Sequence, residues 1–173
     1  MKKRLLPIFF LFSILGGMVS YQVTVPNNTI HKSLSEPSPV VRIVDGDTVI
    51  VQINDKKETV RLIGLDTPEI IDPRKPVECF GKESSDEAKR ILAEKSVRLK
   101  TDPSQATRDK YHRLLAYLFL EDGINFNELM IKNGYGYEYT YDVPYAYQKE
   151  FKQAEKYARE NKRGLWAEGV CEN

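Results

Sequence analysis

The chain is poor in cysteine and histidine, with two of each among its 173 residues. Neither cysteine has a second cysteine at C-x-x-C spacing or a histidine nearby, which argues against a zinc site. Net charge is also nearly absent, because 26 Lys and Arg residues offset 25 Asp and Glu residues to give +1. The chain has no internal repeat, and charges of both signs are interspersed, which argues against wholesale disorder. These features predict one globular domain preceded by an N-terminal segment.

The N-terminal segment lacks a hydrophobic run long enough to cross a membrane comfortably. Leu5–Val19 is an uncharged, apolar-rich run of 15 residues, whereas a spanning helix needs ~20. Lys2, Lys3 and Arg4 precede this run, so residues 1–20 are predicted to be a signal peptide. Because no small-x-small cleavage pair is well placed, an uncleaved membrane anchor is the alternative. Either way, the protein is expected to be secreted or tethered to the outer face of the cell membrane.

The remaining chain divides by composition. Residues 21–39 are rich in Ser, Asn, Thr and Pro and are predicted to be a flexible spacer. Residues 40–168 are predicted to be the folded domain, and residues 169–173 a C-terminal tail. Two cysteines in an exported chain predict one disulfide, between Cys79 and Cys171, which would enclose most of the domain. Two unrelated thiols are the alternative.

One stretch, from Asp45 to Glu69, contains two acidic clusters and an arginine in a hairpin pattern. Alternating apolar residues on either side of the turn signal at 54–57 predict two antiparallel strands. Such a hairpin brings Asp47 near Asp66, and two converging carboxylates suit a hard cation. An EF-hand is excluded, because Val49 stands where an oxygen ligand is needed and no Glu stands at the twelfth position.

The same 25 residues resemble the signature of the thermonuclease (staphylococcal nuclease) family. The matching positions are Asp45-Gly46-Asp47-Thr48, then Arg61, then Leu62-x-x-Leu65-Asp66-Thr67-Pro68-Glu69. A second, weaker match is Asp109-Lys110-Tyr111-His112-Arg113. Similarity of general layout runs from about Val40 to Glu168.

The fold prediction combines periodicity with this resemblance. Besides the hairpin, strands are predicted at Val40–Val44, Val97–Lys100 and Leu114–Leu120, and helices at Lys82–Lys95, Phe126–Lys132 and Tyr145–Asn161. Five short strands interleaved with three helices indicate an α+β fold. The resemblance implies a five-stranded OB-type Greek-key β-barrel with three packed α-helices.

The resemblance also implies a calcium site. Asp47, Asp66 and the backbone carbonyl of Thr67 would be the ligands, with water and a substrate phosphate completing the shell. The alternative for Asp47 is an aspartate that caps a turn. Asp45 is interpreted as a turn residue, or as one that orients the ligands.

Three further residues would act on the phosphodiester. Arg61 and Arg113 would clamp the scissile phosphate, and Glu69 would activate or position the attacking water. The alternatives are salt bridges for the arginines and a surface charge for Glu69. His112 replaces the small or amide residue usual before this arginine in the family, and its larger ring could redirect the loop.

Lys110 and Tyr111 would contact the nucleotide. Tyrosines at intervals of two, in an extended segment, would display four rings on one face that could stack on bases: Tyr135, Tyr137, Tyr139 and Tyr141. Packing of these rings between barrel and helix is the alternative.

The resemblance implies an exported, calcium-dependent nuclease that hydrolyses DNA and RNA with little specificity and leaves 3′-phosphate ends. It would be a monomer with no obligate protein partner. The near-neutral charge implies weak global attraction to nucleic acid, with basic residues focused locally. The alternatives are a non-catalytic OB-type nucleic-acid-binding module, and a calcium-stabilised surface domain that binds a protein or a wall polymer.

Overall fold

A computed structural model describes residues 34–70 and 77–171. The predicted signal peptide and the first part of the predicted spacer lie outside the described residues. Within the described residues, no helix is long and apolar enough to cross a membrane.

Most strands of the described residues close into one barrel. The strands are β1 (Ser38–Ile43), β2 (Thr48–Ile53), β3 (Lys56–Leu62), β4 (Leu65–Asp66), β5 (Ser96–Lys100), β6 (Leu114–Phe119) and β7 (Tyr137–Glu138). The barrel order is β1-β2-β3-β6-β5, and β5 pairs with β1 to close it. All neighbours in the barrel are antiparallel except β3 and β6, which are parallel. The predicted five-stranded barrel is confirmed.

The predicted hairpin forms β2 and β3. Their register pairs Thr48 with Arg61, and Val49, Val51 and Val60 are fully buried. Alternate residues of a strand face opposite sides of a sheet, so these valines fill the barrel while the ends of the hairpin remain available for the site.

Three α-helices pack on the barrel, as predicted: α1 (Gly81–Leu92), α2 (Phe126–Lys132) and α3 (Gln148–Glu160). The side chain of Asn125 accepts hydrogen bonds from two backbone amides in the first turn of α2 and so caps it. The prediction extended α1 to Lys95. The helix ends at Leu92 because Ala93 is extended and Glu94 has φ of 60°.

A two-stranded sheet of β4 and β7 lies beside the barrel and was not predicted. It pairs Asp66 with Tyr137. Gly64, with φ of 75°, turns the chain between β3 and β4. A Cβ on Gly64 would lie 2.6 Å from the ring of Tyr145, so this turn has no room for a side chain.

Contacts with the barrel begin before the predicted start of the domain at residue 40. The backbone amide of Ser35 donates to the carbonyl of Leu99, and the hydroxyl of Ser35 accepts from the amide of Leu99. Cys79, just before α1, and Cys171, near the C terminus, form the predicted disulfide, with their Cα atoms 5.8 Å apart.

Asp102, which follows β5, is a buried polar connection between β6 and the segment before α3. Its carboxylate accepts hydrogen bonds from the hydroxyl of Tyr117 (2.5 Å), the amide of Ala146 (2.7 Å) and the amide and hydroxyl of Ser104. Burial raises the pKa of Asp102, but these hydrogen bonds outweigh it and hold the pKa below its ordinary value.

Replacing Asp102 with Asn is therefore expected to lower the free energy of unfolding by about 2–3 kcal/mol at pH 7, because an amide cannot accept all of these donors. A carboxyl whose pKa is lower in the folded state contributes stability above its unfolded pKa of about 4, and loses it as pH falls through the folded pKa. The difference between wild type and Asp102→Asn should therefore narrow at pH 3. Urea unfolding at both pH values measures it, with the exposed Asp142→Asn as the matched control. Equal stability of wild type and Asp102→Asn at pH 7 would contradict the prediction.

Candidate active site

The turn between β1 and β2 places Asp47 at one end of the barrel. The amides of Val44 and Asp45 donate to the carbonyl of Thr48, which closes the turn. A Cβ on Gly46 would lie 2.7 Å from the side chain of Thr67. Glycine at this position therefore lets the turn pack directly against the residue that follows β4.

The carboxylate of Asp47 is buried and joins three segments of the chain. Its Oδ1 accepts from the hydroxyl of Thr48 at 2.9 Å, and its Oδ2 accepts from the amide of Thr67 at 2.9 Å and from the Thr67 hydroxyl at 3.2 Å. The same Oδ2 lies 2.8 Å from Nη1 of Arg61. Asp47 thus contacts Thr67, through its amide and hydroxyl, and Arg61.

Arg61 lies between the two predicted metal ligands. Its Nη2 donates to Oδ1 of Asp66 at 2.6 Å, and its Nη1 also donates to the carbonyl of Leu65 at 2.7 Å. The ion pairs considered as an alternative for Arg61 are present. Among the described residues, none accepts a hydrogen bond from its Nε.

Acidic groups outnumber basic ones in this cluster. Asp45 accepts a hydrogen bond from the amide of Asp47, which agrees with its interpretation as a turn residue. Burial, together with the charge of Asp47, raises the pKa of Asp45 to about 7. Burial also raises the pKa of Asp66, with a smaller contribution from Asp47, while Arg61 opposes the shift.

The donor set fits a calcium ion in its chemistry, since carboxylate and carbonyl oxygens are the ligands that calcium prefers. Within residues 34–70 and 77–171, however, no group of three or more His, Cys, Asp and Glu side chains is arranged to hold a metal. The predicted set of Asp47, Asp66 and the Thr67 carbonyl has only two such side chains, and it stays a prediction.

Arg113 reaches the cluster from the loop before β6. Asp109 holds the loop by accepting from the amides of Tyr111 and Arg113, and from Nε of Arg113 at 2.7 Å. Nη1 of Arg113 lies 3.4 Å from the hydroxyl of Thr48, which also contacts Asp47. His112, the residue before Arg113, adopts φ of 64°, a left-handed conformation that costs a non-glycine residue ~1–2 kcal/mol.

Exposed aromatic rings occur on the loop that carries Arg113 and in the segment that follows β7. Tyr111 is 66% exposed, with the ammonium of Lys110 5.1 Å and the guanidinium of Arg113 5.4 Å from its ring centre. Tyr139 and Tyr141 are exposed, and their rings lie 6.4 Å apart. The other tyrosines of the series are packed: Tyr135 against Phe80, and Tyr137 against Trp166.

Glu69 follows Thr67 by two residues. Its Oε1 accepts from the amide of Ile70 at 2.9 Å, and its own amide donates to Oε2 of Glu78 at 3.0 Å. The structure thus brings Asp47, Asp66, Thr67, Arg61 and Arg113 together, and it places Glu69 on the segment that leaves this cluster.

Sequence reasoning named Thr48 and Asp109 only as motif positions and gave neither of them a role, although both organise the site. Thr48 links Asp47 to Arg113, and no sequence pattern marks such a link between distant segments. Asp109, four residues before Arg113, could have been recognised, because an aspartate at the start of a turn commonly accepts from backbone amides that follow it.

Comparison with known proteins gives a matching family, described as staphylococcal nuclease homologue, over residues 59–168. The chain belongs to this family. A thermonuclease from Staphylococcus hyicus is 41% identical over 128 residues, covering 74% of this chain and 74% of that protein. A thermonuclease from Staphylococcus intermedius is 39% identical over 73% of this chain and 74% of its own length. Endonuclease YncB from Bacillus subtilis is 35% identical over 73% of this chain and 59% of its own length. The predicted family is confirmed.

Proposed function

We propose that the chain is a calcium-dependent nuclease that hydrolyses DNA and RNA with little sequence or sugar specificity. The prediction that it is a nuclease is confirmed by its family and by the names of its relatives. Calcium dependence, the range of substrates and the bond that is cleaved are part of the proposal. The observation that carries them is the guanidinium of Arg61 held between Asp47 and Asp66, with Arg113 beside them.

Two arginines so placed can bind one phosphate. Phosphodiester hydrolysis adds negative charge to the non-bridging oxygens, and guanidinium groups offer paired donors to them. Arg61 is held rigidly by its ion pairs, and Arg113 by Asp109. Preorganised donors of this kind stabilise the transition state more than the ground state, because they do not reorganise during the reaction.

Glu69 would accept the proton of the attacking water. The water oxygen forms a bond to phosphorus, the bond from phosphorus to the 5′ oxygen breaks, and the leaving oxygen takes a proton from solvent. The product strand then ends in a 3′-phosphate. Calcium, held by Asp47, Asp66 and the Thr67 carbonyl, would supply positive charge to the phosphate oxygens.

Exposed rings favour unpaired substrate. Tyr111, Tyr139 and Tyr141 can stack on bases of any identity, and Lys110 can contact phosphate. A stacking platform combined with phosphate contacts gives little sequence preference, and it binds bases that are free of a partner strand.

A secreted location agrees with this chemistry. A site with two carboxylates binds calcium weakly, and dissociation constants of ~10⁻⁴–10⁻³ M are usable only outside cells. We therefore propose that the domain acts outside the cell, released or tethered through its N-terminal segment, and as a monomer.

Calcium removal is expected to abolish cleavage by the full-length protein. With millimolar calcium, the protein should degrade single-stranded DNA faster than duplex DNA, and excess EGTA should reduce both rates to background. The products should resist extension by a polymerase until a phosphatase removes their 3′-phosphate. Cleavage that continues in EGTA would refute the calcium dependence, and nucleic-acid binding without cleavage would point instead to a non-catalytic module.

A further inference from the structure

The segment Glu78–Gly81 is joined to the segment that carries Glu69 by a reciprocal pair of hydrogen bonds. The amide of Glu69 donates to the carboxylate of Glu78 at 3.0 Å, and the amide of Glu78 donates to the carbonyl of Glu69 at 2.9 Å. Both backbone polar groups of Glu69 are therefore fixed by a single residue, nine positions later in the chain.

The start of α1 packs closely against the same segment. A Cβ on Gly81 would lie 2.7 Å from the side chain of Ile70, 3.0 Å from the carbonyl of Pro68 and 3.2 Å from that of Glu69. Phe80 has φ of 67° and no side-chain cap, and its ring packs on Tyr135. The chain thus accepts an unfavourable backbone conformation at Phe80, which lets the helix start lie directly against the carbonyl of Glu69.

The Cys79–Cys171 disulfide also restrains the segment that carries Glu78. Cys79 lies between Glu78 and Phe80 and is bonded to Cys171, near the C terminus. Glu78 itself is exposed, and an exposed hydrogen bond alone holds a side chain only weakly. A covalent bond at the next residue restricts how far Glu78 can move from Glu69.

From these contacts we infer that Glu78 is a positioning residue for Glu69, and that the Cys79–Cys171 disulfide keeps Glu78 in place. The inference rests on the proposed function, in which Glu69 handles the proton of the attacking water. A misplacement of about 1 Å can cost on the order of 10²-fold in rate. Glu78 and the disulfide would therefore affect kcat. They would have little effect on KM, because the arginines and tyrosines bind the substrate.

The first experiment separates positioning from charge. Glu78→Ala is expected to lower kcat about tenfold with KM for single-stranded DNA nearly unchanged. Glu78→Gln should restore most of the rate, because its amide oxygen can still accept from the amide of Glu69. Glu83→Ala, which removes an exposed acid from the first turn of α1, is the matched control and should keep the wild-type rate. A Glu78→Gln variant as slow as Glu78→Ala would overturn the inference in favour of a charge effect.

A double-mutant cycle tests whether Glu78 acts through Glu69. In the Glu69→Gln background, Glu78→Ala should have little further effect, whereas a merely structural role would lower the residual rate by the same factor in both backgrounds. Independent effects would overturn the inference.

The disulfide is tested with Cys79→Ser/Cys171→Ser, assayed well below its unfolding temperature so that the protein is folded. We expect kcat to fall several-fold, and Glu78→Ala to have a smaller effect in this variant than in wild type. An unchanged kcat in the folded double variant would overturn the inference that the disulfide keeps Glu78 in place. If wild type itself fails to cleave with calcium, the proposed function fails; if wild type cleaves and Glu78→Ala is as fast, only this inference fails.

Discussion

Replacing Glu69 with Gln is expected to lower kcat for DNA cleavage by about 10²–10⁴-fold, the range that general-base groups contribute. Glutamine keeps the size of the side chain but accepts a proton far less readily than a carboxylate. The fold should be unaffected, because the amide oxygen can still accept from the amide of Ile70. KM for single-stranded DNA should change little, since no contact with the nucleotide is assigned to Glu69.

Single-turnover cleavage of a labelled oligonucleotide, with enzyme in excess, measures the rate of the chemical step. That rate remains measurable even if it falls by the full ~10⁴-fold. Glu121→Gln makes the same chemical change at an exposed position and should cleave at the wild-type rate. If Glu69→Gln keeps more than a tenth of wild-type activity, a group other than Glu69 accepts the proton of the attacking water. The proposed mechanism would then be wrong in that step.

Replacing Arg61 with Ala is expected to reduce kcat by about 10²–10³-fold, as for loss of one preorganised donor to a developing oxyanion. Arg61→Lys should rescue only partly, because an ammonium is a point charge and cannot offer the paired donors of a guanidinium. The side chain of Arg61 is 15% exposed and bridges Asp47 and Asp66. Its loss therefore leaves two acids without their shared partner, and stability must be followed alongside activity.

Measuring calcium binding by Arg61→Ala distinguishes a loss of catalysis from a loss of folding, because a misfolded variant would not bind the ion. Removing the positive charge between the two aspartates should leave calcium affinity unchanged or raise it, since the attraction of the acids for the ion is then unopposed. Titration calorimetry on folded Arg61→Ala measures this, and the exposed Arg42→Ala controls for a general loss of positive charge. Weaker calcium binding by a folded Arg61→Ala would contradict the assignment of Asp47 and Asp66 as ligands.

The periodic spacing of apolar residues along the chain made much of the fold predictable. The bounds of α2 agree with the prediction, because Asn125 and Gly134 mark its two ends by local chemistry. The hairpin of β2 and β3 follows from alternating valines. The sheet of β4 and β7 has two residues in each strand, too few for any periodicity to show.

The tyrosine series shows where a local pattern misleads. Intervals of two predict one shared face, but only Tyr137 lies in a strand, which ends at Glu138. Tyr135 and Tyr137 pack against neighbouring rings, whereas Tyr139 and Tyr141 are exposed. The packing interpretation therefore holds for Tyr135 and Tyr137, and base stacking by Tyr139 and Tyr141 stays a prediction.

The sequence by itself determined the family, and it indicated the candidate side chains of the site and one disulfide between the two cysteines. These depend on residue identity and on spacing along the chain. Only the tertiary structure decided that Arg61 pairs with both Asp47 and Asp66, that Asp109 holds Arg113, and that Glu78 binds the backbone of Glu69. Electrostatic and hydrogen-bonded pairs form over a few ångströms, and closure of the barrel and packing of α1 set those distances between segments that are far apart in the chain.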